Sequence, residues 1–373
     1  LGFLLGVALM VNTNRWQVLM LMTSQSNSAL TKILGWMQIL FITGLILYLG
    51  KVLFVPLLFG LLFAMLLFPI CKKMEKKGIP RSLAIAILLF FILIFFVILI
   101  WLLVVEVSSF ITDLPLINQK LLSLFPTFNK WIELTFGVST DEQFKWFQNM
   151  GFNFSNDIST FLKGILNSTL STFLMLVMIP IYIALFLYHR RSFVRFFEVI
   201  IGPKYKNQLH EILNESIFSY FNFIKGNFYV YCIVGILNSI GLLLLGIKHA
   251  ILYGILTSFM MVIPYVGIFI SASIPVSIAL VTKDSIWYPI GVIMIFVFIQ
   301  YLESNVLFPA IVGKQLNLST WATLVAIVGG VLFWGIPGMV LVTPFLAILK
   351  IISDHIPSWR GVNILLNRKE GFQ

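Results

Sequence analysis

The sequence predicts an all-α, polytopic membrane protein with about eight hydrophobic segments, and three observations carry that prediction. Of 373 residues, 60% are hydrophobic and 10% charged, where a soluble domain carries about 25% charge. Uncharged or nearly uncharged runs recur between Gly35 and Lys350, each near the ~20 residues that cross ~30 Å of hydrocarbon. The net charge of +11 sits in short Lys and Arg clusters beside those runs. That placement sets orientation in a bilayer, so the partners expected are the lipid bilayer and not nucleic acid.

Several chemistries are absent from the pattern. Cys71 lies beside a lysine cluster and Cys232 inside an apolar run, so neither a disulfide nor a metal-thiolate site is expected. The four histidines, His189, His210, His249 and His355, show no zinc spacing. Neither metal nor cofactor is expected. No phosphate-binding G-x-x-x-x-G-K-[ST] occurs, and no H-E-x-x-H or G-x-S-x-G, which speaks against an ATP-driven pump and against an enzyme.

Residues 1–33 open with LGFLLGVALM, too short to span, followed by polar NTNRWQ without a small-residue cleavage pattern. They are expected to be a polar or interfacial segment, with translation starting at Met20 or Met22. The first three spans occupy 34–105, as 34–49, 52–70 and 82–105. Between the second and third lies CKKMEKKGIPR, in which Lys72, Lys73, Lys76, Lys77 and Arg81 face only Glu75; a short loop of this kind stays cytoplasmic. Residues 106–163 then fall outside the cell, and their six acidic residues against four lysines agree in sign. Apolar positions such as Leu114, Ile117, Leu121 and Leu124, broken by Pro115 and Pro126, predict short amphipathic helices there.

The region 164–225 holds a fourth span over 165–188, which returns to the cytoplasm at Arg190, Arg191 and Arg195, and an amphipathic interfacial helix over 202–225. A fifth span over 227–247 carries Gly235, Gly241 and Gly246 with Asn238 and Ser239, small and polar residues that let helices pack closely in lipid. It opens a core over 226–352, followed by a tail over 353–373 expected to be cytoplasmic.

Two segments of the core are too long. Residues 250–281 are uncharged throughout and would make a helix of ~48 Å, with IPYVG in the middle. Residues 320–350 repeat the feature around GIPGM. Proline removes a backbone donor and glycine tolerates a reversed φ, so Pro264, Gly267, Pro337 and Gly338 are expected at the tips of two re-entrant hairpins. With the helix over 285–312 running inward between them, the two helix-plus-hairpin units form an inverted repeat. The competing arrangement makes each long segment one tilted crossing.

QYLESNVLFP, residues 300–309, places polar groups in this apolar surrounding. A carboxylate at membrane depth is costly and normally turns toward protein or water. Gln300, Glu303, Ser304 and Leu307 share a helical face, with Asn305 about 160° round from Glu303. Such a face can bind a cation or hold a proton; alternatively Glu303 is a packing tie to Lys314 or Arg81. Asn238, Ser239, Ser258 and Ser271 are candidates to line a site, as are Thr257, Ser273 and Ser277, with interhelical packing as the other reading.

The stretch KGNFYVYCIVGILNSIGLLLLG…AILYGILTSFMMVIPYVG, then QYLESNVLFPAIVGKQLNL, then GGVLFWGIPGMVLVTPFLAILK, resembles the autoinducer-2 exporter family of bacterial permeases. The resemblance covers nearly all of 35–352. It implies export of a small solute, with some relatives acting as sodium or lithium/proton antiporters. Relatives often place an acidic residue just after the fourth span, where this chain has His189, Arg190 and Arg191, so the resemblance leaves the pairing at that inner end open. The expectation is a permease of the bacterial inner membrane with both termini cytoplasmic, a homo-oligomer, carrying a small molecule or ion by alternating access. The alternatives are a sodium(lithium)/proton antiporter with Glu303 as carrier, and a non-transporting assembly or scaffold protein.

Overall fold

The computed structural model describes residues 41–98, 169–262, 266–312 and 317–367, with scattered positions between 31 and 39 and between 101 and 134. The expectations for the N-terminal segment, for most of 106–163, and for Pro264 and Lys314 lie outside the described residues. Two compact units are present, Leu1–Phe54 and Val55–Gln373. In the first, residues 41–49 are helical; the cores and the candidate site lie in the second. Every named element is helical, and the one β-bridge among the described residues joins Leu318 to Asn367. Among the described residues, five helices are long and apolar enough to cross a bilayer, or six if one bent pair is counted as a span. The chain is an all-α, multi-pass membrane protein.

Helices α1 (Lys51–Lys76), α2 (Arg81–Ile98) and α3 (Thr169–Tyr188) share a core built from Ala64, Leu67, Cys71, Ala84, Ile85, Leu88, Ile183 and Leu187. Helix α4 (Arg190–Ile201) then turns by 67° from α3. It carries Arg190, Arg191, Arg195 and Glu198 in three turns and buries none of its residues. Such a charge density cannot cross hydrocarbon, so α4 lies outside the spans.

Helix α5 (Lys206–Leu244) is continuous for 39 residues, although the sequence led us to expect an interfacial helix ending at Lys225 and a separate span from Asn227. At ~1.5 Å per residue it is ~58 Å long, about twice the hydrocarbon thickness, so one half projects beyond the bilayer. Gly226 reads as a stop, yet a side chain there would meet Val312 Cγ2 at 3.1 Å. The glycine serves helix contact, and the contact offsets the ~1 kcal/mol that glycine costs inside a helix.

The segment after α5 is not one rod. Helices α6 (Ala250–Met260) and α7 (Val266–Thr282) flank a break, and both contribute to a core of Ala250, Tyr253, Met260, Ile274, Ile278 and Ala279, closed by Val292 and Phe296. At the break, a Cβ on Gly267 would lie 1.8 Å from the Met260 carbonyl oxygen, a distance that admits only glycine. At the other end, a Cβ on Gly246 would lie 3.2 Å from Lys283 Nζ, so the segment begins and ends at the same place.

Helix α8 (Trp287–Leu302) continues through a π turn, Glu303–Leu307, into α9 (Phe308–Ile311). Helices α10 (Thr320–Trp334) and α11 (Ile336–His355) form the second pair, separated by Gly335 at φ 67°. Pro337 sits in the first turn of α11, where its missing N–H costs nothing. Gly330 and Gly338 touch: a Cβ on Gly330 would lie 2.5 Å from the Gly338 oxygen. Helix α12 (Arg360–Leu366) returns the chain to Leu318, where Asn317 Nδ2 donates to Asn367 Oδ1 at 3.2 Å. The stretch from Leu318 to Asn367, which holds α10, α11 and α12, therefore also begins and ends together. The pairs are unequal, however: α6 and α10 are short, whereas α11 has the 20 residues of a full span.

A polar cluster at the turn between α8 and α9

The π turn brings three of the expected residues together. Gln300 Nε2 donates to Glu303 Oε2 at 2.8 Å and to Ser304 Oγ at 3.1 Å, and Ser304 Oγ donates to the same Glu303 oxygen at 3.0 Å. The amide supplies both of its protons and the hydroxyl its one, so the ring of three is closed without conflict. Both bonds to the carboxylate fall on Oε2. Among the described residues Oε1 takes none, and a proton or a cation on Oε1 leaves the ring intact.

Asn305 stands apart, as its angular position predicts: its Nδ2 donates to the Tyr301 carbonyl at 3.0 Å. The π turn itself was not anticipated, although its signal is present. Pro309 has no N–H and its ring crowds the carbonyl four residues back, that of Asn305. The helix responds by widening, and the Phe308 N–H reaches the Glu303 carbonyl, a five-residue step. The alternative of a tie between Glu303 and Arg81 does not hold, since Arg81 lies 3.7 Å from Glu75.

Helix α5 supplies the neighbouring wall. Val230 and Val234 pack with Ile299 and Val312, and Tyr231 lies against the same group within the electrostatic reach of Glu303. Tyr231 was not singled out from the sequence; its position one turn from Asn227 on the same face of α5 was the available clue. The Tyr231 carbonyl accepts from Ser258 Oγ of α6 at 2.8 Å, so Ser258 joins the first helix pair to this wall.

The other candidate hydroxyls are taken by backbone. Thr257 donates to the Tyr253 carbonyl, Ser271 to that of Ile268, Ser273 to that of Ile270, and Ser277 to that of Ser273. Ser239 Oγ donates to the Gly235 carbonyl at 2.8 Å and reaches Ile251 of α6 at 3.5 Å. Asn238 is 1% exposed and donates to the Val234 carbonyl, and its Oδ1 has no partner among the described residues. Asn227, on the same face, has an equally unpartnered buried Oδ1. Two amide oxygens buried in the protein interior without partners among the described residues are costly, and both lie on one face of α5. Gly267, Pro337 and Gly338 form the breaks described above and contribute no polar side chain.

No group of three or more metal-ligating side chains occurs among the described residues.

Comparison with known proteins agrees with this architecture. A family profile described as "AI-2E family transporter" matches residues 37–358. Three relatives, each named a "Putative transport protein", align along nearly their whole lengths. YueF of Bacillus subtilis is 27% identical over 358 residues, covering 86% of this chain and 92% of the relative. YrrI of the same organism is 26% identical over 319 residues, covering 82% and 87%. YhhT of Escherichia coli K12 is 24% identical over 314 residues, covering 84% and 87%. The chain belongs to the AI-2E transporter family.

Proposed function

We propose that this member of the AI-2E transporter family is a secondary transporter that exports a small solute by alternating access. The observation that carries the reading is that α6 with α7, and α10 with α11, are each broken at a glycine contact, and that the first pair, and the second together with α12, begin and end at one place. We read both as re-entrant hairpins of an inverted repeat, in which tip motion exposes a midplane site to one side and then the other. The scaffold is α1 to α3, and α5 joins it to the moving half. One core contains Val55 and Leu62 of α1, Tyr220 of α5 and Leu341 of α11.

A second reading, sodium(lithium)/proton antiport, is favoured by the open Oε1 of Glu303. Glu303 would exchange a proton for a cation there while Gln300 and Ser304 hold its other oxygen. The same reading locates the chain in the bacterial inner membrane with both termini cytoplasmic, from the basic loop between α1 and α2 and the arginines of α4. Homo-oligomerisation is part of it, from apolar side chains such as Ile293, Met294, Val297 and Phe298 left exposed along α8.

Flux into everted vesicles separates the readings. An exporter accumulates autoinducer-2, taken as the probe, with saturation and dependence on a pH gradient. An antiporter dissipates that gradient on addition of NaCl or LiCl, and Glu303→Gln abolishes the response. Absence of all flux from folded, inserted protein overturns both and leaves the scaffold reading.

A further inference from the structure

A cleft of about 550 Å³ opens where the end of α1 passes the first half of α5, away from the Gln300–Ser304 ring. Its rim carries Lys72, Lys73 and Lys76, its apolar floor Phe68 and Phe218, and its single carboxylate is Glu215. All three lysines are exposed, and none has a carboxylate within ion-pair distance among the described residues. The acidic residue interleaved with them, Glu75, is held by Arg190 at 2.5 Å and Arg81 at 3.7 Å, so it does not neutralise them. Glu215 faces His355 Nε2 at 3.6 Å. What remains is a concave site of net positive charge over an aromatic floor, at the end of a membrane span. Phe218 is 68% exposed there, an apolar surface largely uncovered by the described residues.

We propose that this cleft binds the phosphate headgroup of an anionic phospholipid from the adjacent leaflet. Lysines present compact, mobile charges suited to a phosphodiester, and basic pockets between helices at a membrane face recognise such headgroups. The first methylenes of the acyl chains lie along Phe68 and Phe218. A zwitterionic lipid carries its own cation and gains little from the rim, and a free phosphate gains nothing from the floor.

Native mass spectrometry of the full-length protein in neutral detergent tests this with three probes: phosphatidylglycerol, phosphatidylcholine and inorganic phosphate. Each of Lys72→Gln, Lys73→Gln and Lys76→Gln weakens phosphatidylglycerol binding about fivefold, and the triple variant on the order of a hundredfold, from the known worth of a juxtamembrane basic residue. Phosphatidylcholine binding does not change, and neither does phosphatidylglycerol binding by Lys283→Gln, the same charge change elsewhere. Glu215→Gln removes the opposing charge and tightens phosphatidylglycerol binding severalfold, a gain that misfolding cannot produce. Equal phosphatidylglycerol affinity in the triple variant and the wild type overturns the proposal. So does equal binding of phosphatidylcholine, which would make the site merely apolar, or displacement by equimolar inorganic phosphate, which would make it a site for a free anion.

Discussion

Arg190 Nη2, at the start of α4, donates to Glu75 Oε2, at the end of α1, at 2.5 Å across 115 residues of sequence. Arg81 of α2 approaches the other oxygen at 3.7 Å and donates from Nη1 to the Tyr188 carbonyl at 3.2 Å. One carboxylate thus ties together the ends of three helices. The pairing that the resemblance left open at His189, Arg190 and Arg191 is supplied from α1. The side chains are about a fifth exposed, so solvent screens the pair only in part. Glu75→Gln is expected to cost about 1–2 kcal/mol, since it leaves the arginines facing a neutral group. In a thermal melt of detergent-purified protein this appears as a drop of a few degrees, and an unchanged midpoint would show the clasp to be decorative.

The crossing of α5 and α6 is closer than side chains allow. A Cβ on Gly254 would lie 2.5 Å from the Gly235 oxygen and 1.9 Å from Ser239 Oγ, and one on Gly235 would lie 1.8 Å from Ser258 Oγ. Gly254→Val must separate the helices, breaking the Ser258 to Tyr231 bond and opening the wall beside Glu303. The expected loss is about 1–3 kcal/mol of stability, with flux reduced in the fraction that still folds. Vesicle assays normalised to folded protein measure both.

How much of this was legible in the sequence depends on the range of the interaction. The over-long segments and their breaks were legible, because span length is set by the bilayer and the Gly–Pro chemistry is local. The Gln300, Glu303 and Ser304 face was legible from helical spacing alone. The π turn was not, although Pro309 lies just beyond it, because spacing rules assume an unbroken α-helix. Continuity of α5 through Lys225 and Gly226 was misread because a lysine and a glycine together look like an end; only the contact with Val312 reveals the glycine's purpose. Glu75 with Arg190 belongs to tertiary structure, and no local pattern contains it.

Acid sensitivity should arise at α4. His210 Nε2 at 2.8 Å and Lys206 Nζ at 3.4 Å contact the Glu198 carboxylate, and the His210 hydrogen bond above all holds its carboxyl below the usual range, with Lys206 adding to it. A carboxyl depressed in the folded state stabilises it above the unfolded value of 4.5, and that contribution is lost as pH falls through the folded value. Melting temperature should therefore decline below pH 4.5, where Glu75, held below the usual range by the Arg190 hydrogen bond, contributes as well. Glu198→Gln should lessen that decline slightly, since solvent screens its exposed partners. A variant whose acid limb matches the wild type's would remove Glu198 from the explanation.

The two helix pairs make a topological prediction that single crossings reverse. Gly246 and Lys283 are neighbours, so α6 and α7 start and finish on one side; Leu318 and Asn367 are neighbours, so α10, α11 and α12 do likewise. Helix α8 connects the two places and, with its continuation to Ile311, is long enough to cross. Lys283 and Leu318 therefore belong on opposite faces, and Lys314, outside the described residues, is expected on the side of Leu318. In the proposed orientation, with the loop between α1 and α2 inside because of its lysines, α5 runs outward and Lys283 is expected outside. The background for labelling is Cys232→Ser, since Cys232 is exposed while Cys71 is buried. In intact cells, an impermeant maleimide should modify Lys283→Cys and spare Lys314→Cys until the membrane is permeabilised. The reverse pattern would mean that residues 250–281 cross once, and with it the re-entrant hairpins and the alternating-access scheme built on them would have to be given up.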